Sequence, residues 1–166
     1  VADLPYLVWL QQRECYAIGF IPQSAYADIL TLGPVRRWHY SEILLAVDAA
    51  DPTGFCYWSW AGRYAHIFQI CIQADARRWE HATRLLEQVE AQARALGCQG
   101  VLCRVAQDLE SNRFWTALGY QCVGTARGRR KGSGRTTRPL WQYLKPFLPL
   151  FEYGGRHDKC KVERRQ

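Results

Sequence analysis

The stretch that most limits how this chain can fold is residues 64–106, "YAHIFQICIQADARRWEHATRLLEQVEAQARALGCQGVLCRVA". Its first part, 64–73, is dense in aromatic and β-branched residues and predicts a strand. Apolar side chains then recur at Trp79, Ala82, Leu85, Leu86, Val89, Ala93 and Leu96, the spacing of an amphipathic helix. Gly97 is placed to end that helix. "GVLCRVA" at 100–106 is short and almost continuously apolar, the pattern of a strand inside a sheet. Strand, long helix and strand in this order form a crossover unit, for which a right-handed connection is expected. The helix is fed by a crowded loop carrying paired arginines, a tryptophan, a glutamate and a histidine.

Around this unit the pattern is regular. Residues 4–15 and 21–33 predict helices, the second with Pro22 in its first turn and Gly33-Pro34 as its stop. A strand at 41–49, a turn at "DPTG" (51–54) and an aromatic strand at 55–60 lead through "AGR" (61–63) into the crossover unit. A shorter helix at 109–119, a strand at 120–126 and a last strand at 138–144 follow. This order predicts an α/β fold with one mixed sheet. Residues 1–146 form the domain, and 147–166 read as a C-terminal extension with a basic tail.

The 166 residues are 48% apolar, enough for one cored domain. No apolar run approaches the roughly 20 residues of a membrane span, and neither a leader nor a membrane partner is expected. The seven cysteines are odd in number and contain no C-x-x-C pair. Neither a disulfide framework nor a metal site is expected, and the cytoplasm is the expected compartment. The net charge of +7 is uneven. Arg127, Arg129, Arg130, Lys131 and Arg135 crowd a Gly-rich segment without an acid, which suits either a solvated loop or an anionic partner such as nucleic acid. Periodicity says nothing about oligomeric state.

Two motifs, "ICIQADARRWEHATRLLEQVEAQARALGCQGVLCRV" and "LESNRFWTALGYQCVGT", resemble the GNAT superfamily of acyl-CoA-dependent N-acyltransferases. The resemblance covers roughly residues 5–145. It implies a GNAT-like mixed, mainly antiparallel sheet flanked by helices on both faces, with acetyl-CoA or another acyl-CoA bound to it. The family's loop Q/R-x-x-G-x-G/A falls on Arg77, Glu80 and Ala82. Arg77 and Ala82 fit, whereas Glu80 stands where the family has its first glycine. Such a loop turns backbone N–H groups and a helix N-terminus toward a pyrophosphate, and glycine allows the close approach. By the resemblance, Arg77, Arg78, Trp79, Glu80, His81, Ala82 and Thr83 hold the pyrophosphate, with His81 a donor. Backbone groups of Ile70, Cys71 and Ile72 hold the pantetheine arm, which requires a locally splayed strand. Asp108 and Ser111 lie near the same arm. Trp115 occupies the position where many members have an acidic tyrosine, and an indole N–H cannot act as that acid.

For the base, His66 and Gln69 lie on the central strand, where the family often places a glutamate. Of the two only His66 titrates, and its ordinary pKa of about 6.5 suits proton transfer. His39 and Glu42 are further candidates, and deprotonation through water needs no dedicated base. The resemblance therefore implies N-acyl transfer, most simply acetyl transfer, to an amine acceptor. The alternative is a GNAT-like binding module, weak or inactive in catalysis, that engages nucleic acid or a protein through its basic loop and tail. Glu80 and Trp115 favour that alternative.

Overall fold

The structure is a computed structural model that describes residues 2–33, 35–36, 39–60, 62–78, 80–128 and 138–147. Its elements are α1 (Leu4–Ile18), α2 (Gln23–Leu32), β1 (Val35–Arg36), β2 (His39–Asp48), β3 (Asp51–Trp60), β4 (Ala65–Ile72), α3 (His81–Ala95), β5 (Gly100–Ala106), α4 (Asn112–Ala117), β6 (Gln121–Arg127) and β7 (Pro139–Pro146). A short 3-10 turn, Ala74–Ala76, precedes α3. The strands form one sheet in the order β1-β2-β3-β4-β5-β7-β6. Every neighbouring pair is antiparallel except β4 and β5. The mixed, mainly antiparallel sheet expected from the sequence is present, with helices on both faces.

Alternation along the strands assigns the two faces. Cys56, Trp58, Ile67, Val101, Cys103 and Val105 pack with Leu85, Leu86, Val89 and Ala93 of α3 and with Trp115 of α4. Phe55 and Cys71 face the other way, against Leu7 and Leu10 of α1 and Tyr26 of α2. Two glycines are demanded by close approach. A Cβ at Gly54 would lie 2.5 Å from the Cys71 carbonyl oxygen, and one at Gly100 would lie 2.6 Å from that of Lys145.

The turn expected at 51–54 lies elsewhere. Asp48 pairs with Asp51, and the chain reverses at Ala49 and Ala50, whose φ values are 46° and 81°. Positive φ at both central residues suits the twist of a hairpin. Residues 51–54 then belong to β3. A bulge there shifts the register from Ala46↔Gly54 to Val47↔Pro52, which lets Pro52 sit in a strand.

β4 carries a second bulge. Tyr57 pairs with Gln69, but Trp58 pairs with Ile67, so Phe68 is the extra residue. The bulge changes the phase of the strand. Ala65 and Ile67 face α3, and after Phe68 it is Ile70 and Ile72 that face α3, while Cys71 faces the other helices.

Candidate active site

The site begins where β4 and β5 part. They share three rungs, Ala65↔Val101, His66↔Leu102 and Ile67↔Cys103, and then diverge. The bulge at Phe68 starts the divergence. Beyond it, a cleft of about 560 Å³ opens between the strands. Its walls include Gln69, Ile70 and Ile72 of β4, Arg104 and Val105 of β5, Ala82 of α3, Trp115 of α4 and Ile18 of α1.

The backbone of β4 is unequally available to a ligand. The Gln73 N–H donates to Thr53 O on β3 at 2.8 Å, and the Cys71 carbonyl also lies against β3. Strand alternation then turns the groups of Ile70 and Ile72 toward the gap. Of the three residues expected to hold a ligand through the backbone, Ile70 and Ile72 turn their groups toward the gap, and Cys71 turns its carbonyl toward β3. The Ile72 carbonyl already accepts from Arg77 Nε at 3.1 Å. Burial pushes the Cys71 thiol up to about 12, so it is no nucleophile.

The loop before α3 closes one end of the cleft. Arg78 and Glu80 have φ of 73° and 63°, the left-handed conformation that favours glycine. Glu80 is the residue before the helix, and no side chain caps the N-terminus there. The first intrahelical bond runs from the Arg84 N–H to Glu80 O at 2.9 Å, so the N–H groups of His81, Ala82 and Thr83 precede the ladder. The Glu80 side chain is 74% exposed and lies 3.8 Å from Arg84, outside the cleft lining. The carboxylate is thus turned along the helix surface, and the backbone adopts the glycine-like conformation without glycine. Arg77 lines the cleft and pairs with Glu14 of α1 at 2.7 Å. His81 lines a separate groove with Leu45, Asp48 and Gln88 and is not part of the cleft lining. Trp79 lies outside the described residues.

The opposite end carries the other expected groups. Gln69 is 3% exposed and lines the cleft, but its amide is committed. Its Nε2 donates to Gln11 Oε1 at 3.0 Å, and its Oε1 accepts from the Tyr26 hydroxyl, which also bonds Gln11 Oε1 at 2.8 Å. Gln69 cannot titrate, and this network fixes α1 and α2 on the sheet. His66 sits on the second shared rung and is absent from the cleft lining. Burial, with a smaller contribution from Arg104, holds its pKa below the ordinary value. Glu42 lies on β2 away from the cleft, and the His39 side chain lies outside the described residues.

Asp108 lines the cleft mouth and accepts from the Tyr16 hydroxyl at 2.6 Å and from Arg138 Nε at 2.9 Å. The Tyr16 bond, helped by Arg138 and offset in part by desolvation, holds its carboxyl below the usual range. Arg138 also lies 4.1 Å over the Tyr16 ring. Ser111 lines the cleft as the residue preceding α4. Trp115 is 4% exposed, edge-on to Tyr120 at 5.0 Å, and shapes the wall as an apolar plate. Of the basic segment only Arg127 is described, exposed at the end of β6. Arg129, Arg130, Lys131 and Arg135 lie outside the described residues.

Glu14, Tyr16, Arg104 and Arg138 also border the site, and nothing in the sequence patterns placed them there. The first two are on α1, far from the motifs in sequence. Arg104 had a visible signal, since it is the one charge in an otherwise apolar strand.

The comparisons with known proteins agree with this geometry. The model of the Acetyltransferase (GNAT) family matches residues 5–120. Ard1 from Thermoplasma volcanium shares the fold with a TM-score of 0.71 and 16% identity, over 89% of this chain and 93% of that one. The ribosomal-protein-S18-alanine N-acetyltransferase from Escherichia coli gives 0.67 and 17%, over 88% of each chain. Arabidopsis thaliana NAA60 in complex with acetyl-CoA gives 0.69 and 14%, over 88% of this chain and 94% of that one. No curated protein matches the sequence significantly. At such identities the structures show a shared fold, while the family model spans well over half the chain. The chain belongs to the GNAT family of acetyltransferases.

Proposed function

We propose that this protein transfers an acyl group, acetyl in the simplest case, from acyl-CoA to an amine acceptor. The observation that carries the proposal is the divergence of β4 and β5 after three rungs, with the resulting cleft running to the uncapped N-terminus of α3. The donor set fits the substrate. Backbone N–H groups of His81, Ala82 and Thr83, aided by the helix dipole, suit a pyrophosphate. Arg77, with Arg78 at the same turn, adds positive charge. Inward groups of Ile70 and Ile72 suit the amides of a pantetheine arm, with Asp108 and Ser111 on the opposite wall. Acyl-CoA supplies an activated thioester whose thiolate is a good leaving group, so the absence of an acidic side chain at Trp115 is compatible with turnover.

Neither candidate base is poised for proton transfer. Gln69 positions α1 and α2, and His66 lies off the cleft. The acceptor amine is then deprotonated through water before attack. Six free cysteines among the described residues favour a reducing, cytoplasmic setting. No described helix is long and apolar enough to cross a membrane.

Two measurements test the proposal. Saturating acetyl-CoA should raise the unfolding midpoint, because a ligand that binds only the folded state stabilises it. Arg77→Ala should weaken acetyl-CoA binding about tenfold, a change worth about 1.4 kcal/mol. An unshifted midpoint at millimolar acetyl-CoA in the wild type would remove the reading.

A further inference from the structure

The charges in the cleft are unevenly committed. Glu14, Arg77, Arg104, Asp108 and Glu110 are the ionisable acids and arginines of its lining. Glu14 pairs with Arg77 at 2.7 Å, and Asp108 pairs with Arg138 at 2.7 Å. Among the described residues Arg104 has no ion-pair partner, and Glu110 is an exposed residue of the turn before α4. Arg104 therefore brings an uncompensated guanidinium to the cleft.

Its position is specific. Arg104 follows Cys103, the last β5 residue paired with β4, so it stands at the fork itself. Val101, Cys103 and Val105 are buried on the α3 side. By alternation Arg104 projects from the opposite face, where it is exposed. Phe68, the bulged residue on the other side of the fork, is 53% exposed and stacks on Tyr57 at 5.0 Å. The phosphate-binding end is at α3, so the fork is the acyl end. A group that touches Arg104 is close to the attacking amine.

We propose that Arg104 reads a carboxylate carried near the acceptor's amine, so that the preferred acceptor is an α-amino carboxylate or a peptide with an acidic first residue. The proposal rests on the acyl-transfer reading above. A guanidinium presents a planar fork of donors that matches a carboxylate, and it stays charged at every working pH. Phe68 and Tyr57 offer an apolar plate beside it for the acceptor's carbon skeleton. The carboxylates of Glu14 and Asp108 are already engaged by Arg77 and Arg138.

The test uses matched acceptors with the whole protein and acetyl-CoA, reading thiol release. Free amino acids are compared with their α-amides, and the peptide Asp-Ala amide with Asn-Ala amide. The wild type should favour the carboxylate of at least one pair by tenfold or more in kcat/KM, and the pair that responds identifies the source. Arg104→Gln should bring that ratio close to one, while the stabilisation by acetyl-CoA stays at the wild-type value. Arg104→Lys should restore part of the preference. Equal rates on each pair, or no acetylation of the carboxylate members, would overturn the assignment while leaving acetyl-CoA binding, and the broader reading, standing. A uniform fall in kcat for every acceptor in Arg104→Gln would also overturn it, because it would make Arg104 a stabiliser of the thioester oxygen.

Discussion

The two faces of the sheet are held by different physics. On the α3 face, Trp58, Leu86, Val89 and Val101 are at most 1% exposed and touch mainly apolar neighbours. Its one buried acid among the described residues, Glu90, is paired with Lys145 at 2.8 Å. On the α1–α2 face the apolar cluster is smaller, and buried Gln11, Tyr26 and Gln69 bond one another within it. Apolar packing is strong but indifferent to direction. Hydrogen bonds contribute less on balance and fix geometry. The α3 face, from which Ala82 and Trp115 also reach the cleft, is therefore built for stability. The face whose helix α1 lines the cleft is built for position.

The largest test of that contrast is Leu86→Ala, which should cost about 2–5 kcal/mol in chemical denaturation through lost burial and a cavity. Gln69→Leu should cost less, about 1–3 kcal/mol, because it strands buried polar atoms of Gln11 and Tyr26. It should also couple strongly to Gln11→Ala in a double-mutant cycle, whereas Leu86→Ala should add independently to either. Equal costs without coupling would collapse the distinction between the faces. Smaller still, Glu80→Gly should stabilise the fold by roughly 1 kcal/mol, by relieving a left-handed carboxylate residue, and should tighten acetyl-CoA binding, read by titration calorimetry. A lower midpoint in that variant would show that the pair with Arg84 outweighs the strain.

The smallest effect concerns pH. The folded pKa of His66 is lowered, chiefly by burial. Between that value and the ordinary value of about 6.5 the unfolded chain binds more protons, so stability rises with pH across the window and is lost as pH falls through it. His66→Gln should flatten that part of the stability curve while the relative order of the larger variants stays the same. A curve as steep as the wild type's would assign the pH sensitivity to other groups.

Much of the frame was legible because it is periodic. Helical spacing located α3, aromatic and β-branched density located β4, and a nearly continuous apolar run located β5. The "WTALGY" segment gave α4 its end at Gly119. Proline and aspartate misled the reading at 51–54, because a bulge can absorb a proline that a regular strand cannot. Two consecutive alanines give no local sign that they will take positive φ. At the site, Arg77 and the helix start were visible in one motif. The orientation of Glu80 was not, because it depends on a side-chain rotation toward Arg84. Glu14 and Tyr16 were invisible for another reason. Their partners, Arg77 and Asp108, are far away in sequence and meet them only in the finished fold.

That distance has a consequence for how the molecule is made. The Tyr16 hydroxyl reaches Asp108 across 92 residues, and Arg138 reaches back to the Tyr16 carbonyl across 122. The β2–β3–β4 meander needs only neighbouring segments and can pair as soon as it is synthesised. The mouth of the cleft must wait for both of its ends, with the loop-closure entropy that this implies. On the ribosome, Tyr16 of α1 meets Asp108 only after the meander is made, and the mouth is complete only once Arg138 has followed. Ligand binding should therefore arise only after the β2–β3–β4 meander has paired.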